Sequence, residues 1–492
     1  MKKRILLPIL LLLFILSCSH KDILTPVNEN IANTSTREVL QTYFINQTFL
    51  GNETRTFYGN EAPSNLNIKW RYYLGGSTTR VGSEHKKWYG AGWTGQPLML
   101  MYKGKQYIIQ GAYDHNLKKI DVKTGALVSQ LILEDAIKGT GTLWMRPRDS
   151  SIFILQGSRI GETAYLSNKI VNSYRCVDFK NMKRVWRYNS ARNRSYSRDV
   201  DGSALIINDT AYLGLENGLF IVFDPDPDHS IMVDGILQPK IYDIDTIFFP
   251  EDIKTHGGNL VTESSPSYLN GHIYISSGSG HVFGYNIAKK EIDWFFTTGA
   301  DMDGTPVVTS DSCLLISIEK EYIPGDGGVM KLDPSQSPED AVVWFFPTGT
   351  QHFEFWDGGV IGSVAVNDMY NKENKYTNIA VFTGIDEYLY VVDYKEIECG
   401  ETALGPQKKK YYPKPKLLFK YHTGPSISTP LIIKNKIIAA TYKGVYLFEF
   451  DDDMNFKLLE YKPLNSFEST PFVWDKRIYV ASRDGYLYCF GD

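Results

Sequence analysis

The chain has 492 residues, of which 43% are hydrophobic and 22% are charged, with a formal net charge of −4. These proportions are those of a globular protein and exclude a disordered, collagen-like or multi-span membrane chain. The acidic balance argues against nucleic acid as a partner, because phosphate binding calls for a basic excess. Aromatic residues make up 13% of the chain, with 41 glycines and no long run of helix formers, which favours an all-β fold.

The first residues have the pattern of an export signal. Residues 2–4 are basic, and the apolar stretch over residues 5–16 is too short to span a bilayer as a helix. The stretch ends in Ile15-Leu16-Ser17-Cys18, which resembles the lipobox of bacterial lipoproteins. We therefore predict a signal peptide over residues 1–17 and lipid attachment at Cys18. The lipid would anchor the protein to the outer membrane of the cell envelope, on the periplasmic face or at the cell surface.

Residues 18–65 are predicted to form a lipid-anchored tether with at most a short structured arm, because they are rich in Asn, Thr and Ser. The other cysteines are widely spaced, with neither a CxxC pair nor metal-ligand spacing: Cys176, Cys313, Cys399 and Cys489. No metal site is predicted from them, and their disulfide state stays open.

An internal repeat dominates the rest of the chain. Three units place a proline at one fixed distance before a glycine that opens an alternating strand: Pro266 to Gly280, Pro430 to Gly444, and Pro471 to Gly485. Looser copies begin at residues 97, 142, 203, 306 and 363. Together these starts give eight units, and such a repeat is the signature of a stacked architecture.

A second repeated element places an aromatic residue in a fourth strand of most units. It reads Trp-x-x-x-Thr-Gly at residues 294–299, and related copies place an aromatic residue at Trp186, Trp344 and Phe419. A unit of alternating strands packs on one face only, so it needs neighbours, and radial stacking of such units gives a β-propeller. The aromatic side chains would then dock each blade against the next.

The eighth unit stops at Asp492 after its third strand. The missing strand pattern occurs near the start of the repeat region, at residues 68–75 around Trp70. We predict that this segment completes the eighth blade and removes the open edge. The predicted fold over residues 66–492 is therefore an all-β, eight-bladed propeller of four-stranded antiparallel blades, closed by an N-terminal strand.

The Trp-x-x-x-Thr-Gly element, the Gly-opened strand and the Asp-x-x-Thr-Gly turn at residues 121–125 together resemble the PQQ-like propeller superfamily. The resemblance implies one of two functions. One branch contains quinoprotein dehydrogenases, which hold pyrroloquinoline quinone (PQQ) and Ca²⁺ at the propeller centre. The other contains the lipid-anchored propeller subunit of the outer-membrane β-barrel assembly (Bam) machinery, a non-catalytic scaffold. The sequence lacks a vicinal Cys pair and a C-x-x-C-H haem motif, and the enzymes' calcium ligands match no clear motif in it.

Acidic residues precede the innermost strand of several units: Asp201, Glu263, Asp303, Asp357 and Glu468. Residues two apart share a face of a strand, so several carboxylates could converge on one mouth of the central channel. The functional interpretation is a cation site or a polar ligand pocket. The competing interpretation is that these residues cap turns in solvent.

Long loops between blades would share that mouth and carry aromatic residues with arginines: Trp88, Trp93, Arg192, Arg194, Phe355 and Trp356. Such residues are enriched at the centre of protein interfaces. They could equally stack on sugar rings, or simply pack over the propeller.

The sequence therefore predicts a non-catalytic, lipid-anchored scaffold that binds other outer-membrane or envelope proteins, with outer-membrane protein assembly as one such role. No catalytic residue and no cofactor are predicted. Two alternatives stay open. One is a quinoprotein-type dehydrogenase dependent on PQQ and Ca²⁺, and the other is a surface lipoprotein that binds glycan.

Overall fold

The computed structural model describes residues 41–160 and 170–492. The expected signal peptide, Cys18 and the first part of the expected tether lie outside the described residues. Residues 41–492 belong to one compact unit. In the described part of the chain, no helix has both the length and the apolar character needed to cross a membrane.

Eight four-stranded antiparallel blades form the described chain, as the repeat predicts, and the first strand of each blade lies nearest the channel. Blade 1 comprises Leu98–Tyr102, Lys105–Gly111, Asn116–Asp121 and Leu127–Ile132, and blade 2 comprises Thr142–Met145, Ile152–Gly157, Tyr174–Asp178 and Lys183–Tyr188. Blade 3 comprises Leu205–Ile207, Thr210–Gly214, Leu219–Phe223 and Ile241–Thr246, and blade 4 comprises Ser267–Leu269, His272–Ser277, His281–Asn286 and Glu291–Thr297.

Blade 5 comprises Val307–Val308, Leu314–Ile318, Gly328–Leu332 and Val342–Pro347, and blade 6 comprises Ala365–Val366, Ile379–Thr383, Tyr388–Leu404 and Tyr411–His422. Blade 7 comprises Leu431–Ile433, Lys436–Thr441, Gly444–Phe450 and Phe456–Pro463, and blade 8 comprises Phe472–Trp474, Arg477–Ala481, Tyr486–Gly491 and Ile68–Tyr73. Further strands are Tyr43–Asn46, which pairs with the first strand of blade 1, and three separate hairpins: Gly76–Val81 with Glu84–Tyr89, Ile231–Val233 with Ile236–Gln238, and Thr350–Phe353 with Trp356–Gly358. The described helical turns are Pro227–His229, Asp252–Thr255 and Asp368–Tyr370.

The ring closes as predicted. Strand Ile68–Tyr73 pairs antiparallel with Tyr486–Gly491, with Trp70 opposite Cys489 and Tyr73 opposite Tyr486. The two ends of the propeller are thereby joined in one sheet, which removes the open edge that an incomplete eighth blade would leave.

Tryptophans in the fourth strands connect neighbouring blades in a repeated way. The indole nitrogen Nε1 donates to a backbone carbonyl of the next blade, near the end of its third strand. The four bonds are Trp70 to Val122 (3.1 Å), Trp186 to Pro225 (3.2 Å), Trp294 to Gln336 (3.2 Å) and Trp344 to Tyr394 (2.9 Å). Phe419 has no such donor and instead stacks on Phe456 of blade 7, with ring centroids 4.9 Å apart.

The two ends of the channel are built from different connections. Because strands alternate in direction, each link between blades shares one face, the mouth face, with the turns between second and third strands. The turns between first and second strands and between third and fourth strands lie on the opposite face, the base face.

Residues 46–60, the N-terminal plug, fill the base end of the channel. The innermost strands would otherwise leave N–H groups without partners there. Plug oxygens accept bonds from Leu143, Tyr268, Val308, Val366 and Val473, which belong to five different blades. Arg55 is fully buried in this plug and donates to the carbonyls of Pro266 and Phe49.

Within the described residues, the compact unit includes residues 41–65 as well as the propeller expected over residues 66–492. Residues 41–65 look polar in sequence, yet Phe49, Leu50 and Tyr58 are buried in the hydrophobic core, and plug oxygens also accept bonds from backbone N–H groups of the ring. One plug position also depends on glycine. Gly59 has a φ of 137°, and a Cβ there would lie 1.7 Å from the carbonyl oxygen of Val473.

We expect Trp344→Ala to lower the free energy of unfolding by about 3–5 kcal/mol, because Trp344 is fully buried between blades 5 and 6. Chemical denaturation followed by circular dichroism measures the change. Tyr411→Ala, at a side chain that is 65% exposed, is the control and should leave stability nearly unchanged. A Trp344→Ala protein as stable as the native one would contradict this account of blade docking.

Candidate functional site

A cavity of about 740 Å³ opens at the mouth face of the channel. Its wall combines aromatic and charged side chains from the links and turns of several blades. The aromatic and charged residues of the wall include Trp88, Trp93, Tyr113, Lys138, Glu263, Asp303, Phe355, Trp356, Tyr442, Glu468 and Arg483. Because the plug fills the other end of the channel, a ligand would enter this cavity from the mouth.

Two hairpins reach across the mouth from different sides of the ring. The first mouth hairpin, Gly76–Val81 with Glu84–Tyr89, follows blade 8, and the second, Thr350–Phe353 with Trp356–Gly358, follows blade 5. They meet where Lys86 Nζ lies 4.8 Å from the centroid of the Phe355 ring. Bonds from Arg159 to Thr79 Oγ1 (2.7 Å) and from Ser77 Oγ to the Tyr113 carbonyl (2.5 Å) fix the first hairpin on blades 1 and 2.

The aromatic residues of this face differ in exposure. Phe355 is 73% exposed at the tip of the second hairpin, whereas Trp93 is only 7% exposed. Trp93 was expected in an exposed interface, but it packs with Ile361 and Ile427 and forms part of the cavity wall. Its Nε1 is a buried donor without a hydrogen-bond partner in the described structure. A buried donor in this state suits a ligand that brings an oxygen acceptor.

Lys138 gathers one group of carboxylates at the channel mouth. It forms an ion pair with the buried Asp201, and its Nζ lies 3.0 Å from Glu263 Oε1. Burial opposes the positive charge, but the carboxylates of Asp201 and Glu263 outweigh it and hold the pKa of Lys138 well above its usual value. Oxygens of Asp201, Glu216 and Glu263 lie within 4.8 Å of one another. Lys138 is therefore the resident cation of this group.

A second acidic group has no such lysine. Oxygens of Asp301, Glu319 and Glu321 lie within 4.8 Å of one another, and among the described residues none of the three forms an ion pair. Asp301 Oδ2 accepts from Asn259 Nδ2 (2.6 Å), while Oδ1 is buried without a hydrogen-bond partner. Burial and the neighbouring Glu321 raise the pKa of Asp301 to about 7. Such an all-oxygen set fits a hard cation such as Ca²⁺.

The structure places the remaining predicted acids differently. Both oxygens of Glu468 lie 2.7 Å from Arg483, and Glu468 also accepts from the Tyr442 hydroxyl (2.9 Å). Asp303 is partly exposed in the same cavity wall. Asp357 lies apart on the second mouth hairpin, exposed and paired with His352 (2.8 Å). A ligand-binding role for these residues remains a prediction.

Some of the predicted interface residues lie in the cavity wall, and others lie outside it. Trp88 packs in the cavity wall, with its ring 5.0 Å from Tyr113, and Trp356 and Phe355 lie on the second hairpin. Arg192 and Arg194 are exposed on the link between blades 2 and 3, outside the cavity wall.

Sequence reasoning missed several cavity residues, among them Lys138, Tyr113, Tyr442 and Arg483. One signal was available. Tyr442 and Arg483 occupy the same place in their repeats, two residues before the strand-opening Gly444 and Gly485. A repeat position that holds large polar side chains in successive blades indicates a shared face. Lys138 lies in a link between blades, where the sequence offers no equivalent repeat position to compare.

The described cysteines Cys176, Cys313, Cys399 and Cys489 are all free thiols. Cys489 lies opposite Trp70 inside blade 8, where burial raises the pKa of its thiol to about 12. These thiols are not part of the mouth face.

The eight-bladed propeller predicted from the repeat motifs is a fold that solved structures share. Among solved structures, the chain is similar to BamB from Moraxella catarrhalis, with a TM-score of 0.53 and 12% identity over 87% of this chain and 100% of that one. It is also similar to a europium-containing methanol dehydrogenase, with a TM-score of 0.55 and 12% identity over 89% of each chain.

A third similar structure is the quinohemoprotein alcohol dehydrogenase from Comamonas testosteroni, with a TM-score of 0.55 and 12% identity over 91% of this chain and 81% of that one. No family model and no curated protein matches the sequence. Similarity at this level of identity shows the fold alone, since one fold hosts scaffolds and enzymes alike.

We expect stability to depend on pH through Asp301. Its pKa rises from 3.8 to about 7 on folding, so the folded state binds this proton more tightly than the unfolded state. The contribution of Asp301 to the free energy of unfolding therefore falls as the pH rises from about 4 to about 7. Asp301→Asn should remove this dependence and make the protein more stable than the native chain at pH values above about 7.

Urea denaturation across this pH range measures the effect. The matched control is Asp357→Asn, because Asp357 is exposed, and its pH profile should follow that of the native protein. A native-like profile for Asp301→Asn would contradict the prediction.

Proposed function

We propose that the protein is a non-catalytic, lipid-anchored scaffold of the cell envelope, and that its mouth face binds another outer-membrane or envelope protein. The single observation that carries this proposal is the pair of mouth hairpins. They bring Phe355 and Trp356 to the solvent side of the cavity, and Phe355 is 73% exposed.

Exposed aromatic side chains at a rim of charged groups have the composition of a protein-binding centre. Burial of one aromatic side chain removes about 150–250 Å² from water. Lys86 lies over the Phe355 ring, so a partner would cover a hydrophobic centre that is already surrounded by charge. Arg192 and Arg194 extend the same face toward blades 2 and 3.

The likeness to BamB supports a scaffold within this fold. The lipobox at residues 15–18 supports attachment of the scaffold to a membrane through Cys18. Together they favour a role near the outer membrane, with outer-membrane protein assembly as the specific role proposed.

The test is capture of a partner in intact cells. Photocrosslinking from the mouth hairpins, followed by mass spectrometry, should identify one envelope protein. The double variant Phe355→Ala, Trp356→Ala should weaken binding of that protein by about 2–4 kcal/mol in a purified assay, the range for central interface residues.

Tyr411→Ala is the control, because it removes an aromatic ring of similar exposure from the blade 6 hairpin, outside the mouth. It should leave binding unchanged. Equal loss in both variants, or no crosslinked protein, would rule out the mouth face as a scaffold surface. Binding of a polysaccharide that is lost in Trp356→Ala would instead favour the glycan-binding alternative.

A second candidate function, a quinoprotein-type dehydrogenase, is favoured by the group Asp301, Glu319 and Glu321. Its oxygens fit Ca²⁺, and the cavity wall holds two buried donors without partners, Trp93 Nε1 and Arg483 Nε, which fit an oxygen-rich ligand. PQQ would supply the two-electron acceptor for an alcohol. The chain's own contribution would be to hold the cation and to orient the ligand through those donors.

This candidate predicts that Ca²⁺ raises the thermal midpoint of the native protein and not that of Asp301→Asn, because only the native chain offers the unpaired carboxylate. It also predicts dye reduction with an alcohol after addition of PQQ and Ca²⁺. Calorimetry and a dye assay measure these results. A shift equal in both proteins, or no dye reduction, would count against the enzyme and leave the scaffold proposal standing.

A further inference from the structure

The base face of blades 1 to 3 carries an exposed apolar strand. The hairpin Ile231–Val233 with Ile236–Gln238, here called the base ribbon, is inserted between the third and fourth strands of blade 3. Alternation along a strand normally hides every second side chain. All three residues of Ile231–Val233 are nevertheless exposed, and Met232 is 69% exposed. The ribbon therefore presents hydrophobic side chains to solvent on both of its sides.

The base ribbon is held in this position by contacts at its root. Arg146 and Arg148, in the first turn of blade 2, form ion pairs with Asp226 and Asp228 just before the ribbon. On the inner strand, Gln238 accepts from the backbone N–H of Asn189 at the end of blade 2 (3.0 Å). The inner strand is thus packed on the propeller while the outer strand faces away from it.

The root of the ribbon is fixed a second time from blade 3. The carboxylate of Asp224 accepts from the Tyr242 hydroxyl (2.7 Å) and lies 2.8 Å from Nδ1 of His229. The turn at Asp234 and Gly235 has positive φ at both residues, 50° and 76°, which gives a tight two-residue hairpin. The apolar strand is therefore a built projection of the fold.

The surface around the ribbon combines further apolar side chains with lysines. Exposed apolar residues on this side of blades 1 and 3 are Tyr43, Leu127, Val128 and Tyr242. Exposed lysines in or beside the base turns of blades 1 to 3 are Lys103, Lys105, Lys123, Lys180, Lys183 and Lys240. Several nearby carboxylates are engaged: Asp226 and Asp228 pair with arginines, and Asp121 and Asp178 cap turns. Two exposed acids remain on this side, Asp209 in the first turn of blade 3 and Asp234 at the ribbon turn.

The described chain also begins on this face. The carbonyl of Gln41 accepts from the backbone N–H of Gly104, in the first turn of blade 1 (3.1 Å). Gln41 therefore lies beside the lysine-rich first turn of blade 1.

We propose that the base face of blades 1 to 3 rests on a phospholipid bilayer, with the side chains of Ile231–Val233 in the interfacial region and the surrounding lysines over anionic headgroups. Shallow burial of apolar side chains together with basic residues is the combination that holds a protein at a membrane surface. The inference rests on the ribbon, the lysines and the position of Gln41, and it is independent of the partner proposed for the mouth face. It orients the cavity away from the membrane.

The test uses the chain from residue 19 to residue 492, which carries neither signal peptide nor lipid and keeps every described residue. It should sediment with vesicles of phosphatidylethanolamine and phosphatidylglycerol in equal parts, and less with phosphatidylcholine vesicles. Replacement of Ile231, Met232 and Val233 by Ser should weaken partitioning into the first vesicles about tenfold, because the apolar contribution is lost.

A second variant keeps the test independent of the ribbon's own folding. Lys103→Glu, Lys105→Glu and Lys240→Glu change only exposed side chains and should weaken binding to the anionic vesicles while removing most of its dependence on salt. Tyr411→Ser is the matched control, since it replaces an exposed apolar side chain of blade 6, and it should sediment like the native chain. Thermal unfolding followed by circular dichroism checks that all variants are folded.

Four results would overturn the proposal. The first is native protein that stays in the supernatant with both kinds of vesicle. The second is ribbon and lysine variants that sediment like the native chain, and the third is a Tyr411→Ser control that loses binding as strongly as the ribbon variant. A ribbon variant that loses capture of an envelope protein, when the native chain binds neither vesicle, would also overturn it and assign the ribbon to a protein contact.

Discussion

The pairing of Ile68–Tyr73 with Tyr486–Gly491 is the contact on which the rest of the structure depends. Each blade is a small sheet with one free inner edge and one free outer edge, and neighbouring blades stabilise each other mainly through their faces. A ring of such sheets has no natural end, so an unpaired blade would expose both its backbone and its packing face. When the first strand of the propeller completes the last blade, separation of the two ends requires a whole sheet to open.

The same closure forms the channel, and the two ends of the channel are filled differently. At the base end, first strands from different blades point their N–H groups at one space, and residues 46–60 satisfy several of them at once. At the mouth end, the links between blades bring carboxylates together. Lys138 compensates one such group, whereas Asp301 remains buried beside Glu319 and Glu321 without a cation. Burial and the neighbouring carboxylates raise the pKa of both Asp301 and Glu319, so these two groups bind protons more readily than they would in water.

The two faces of the propeller therefore have different chemistry. The mouth combines aromatic side chains with ion pairs around a cavity of about 740 Å³. The base carries an apolar ribbon among lysines, on the side where the described chain begins. Exposed hydrophobic residues on opposite faces of one rigid body suit a protein that contacts two different surroundings at the same time.

The sequence by itself determined the eight blades, their four strands and the closing strand around Trp70, because period-two alternation and a repeated aromatic position are local properties of the chain. It also placed Asp201, Glu263, Asp303 and Glu468 at the starts of inner strands. Only the tertiary structure decided that Lys138 pairs with the first two, that Asp357 lies apart on a hairpin, and that Trp93 is buried. Residues 41–65 were beyond sequence reasoning for the same reason. Their partners are backbone groups and apolar side chains from different blades, and these meet only when the ring has closed.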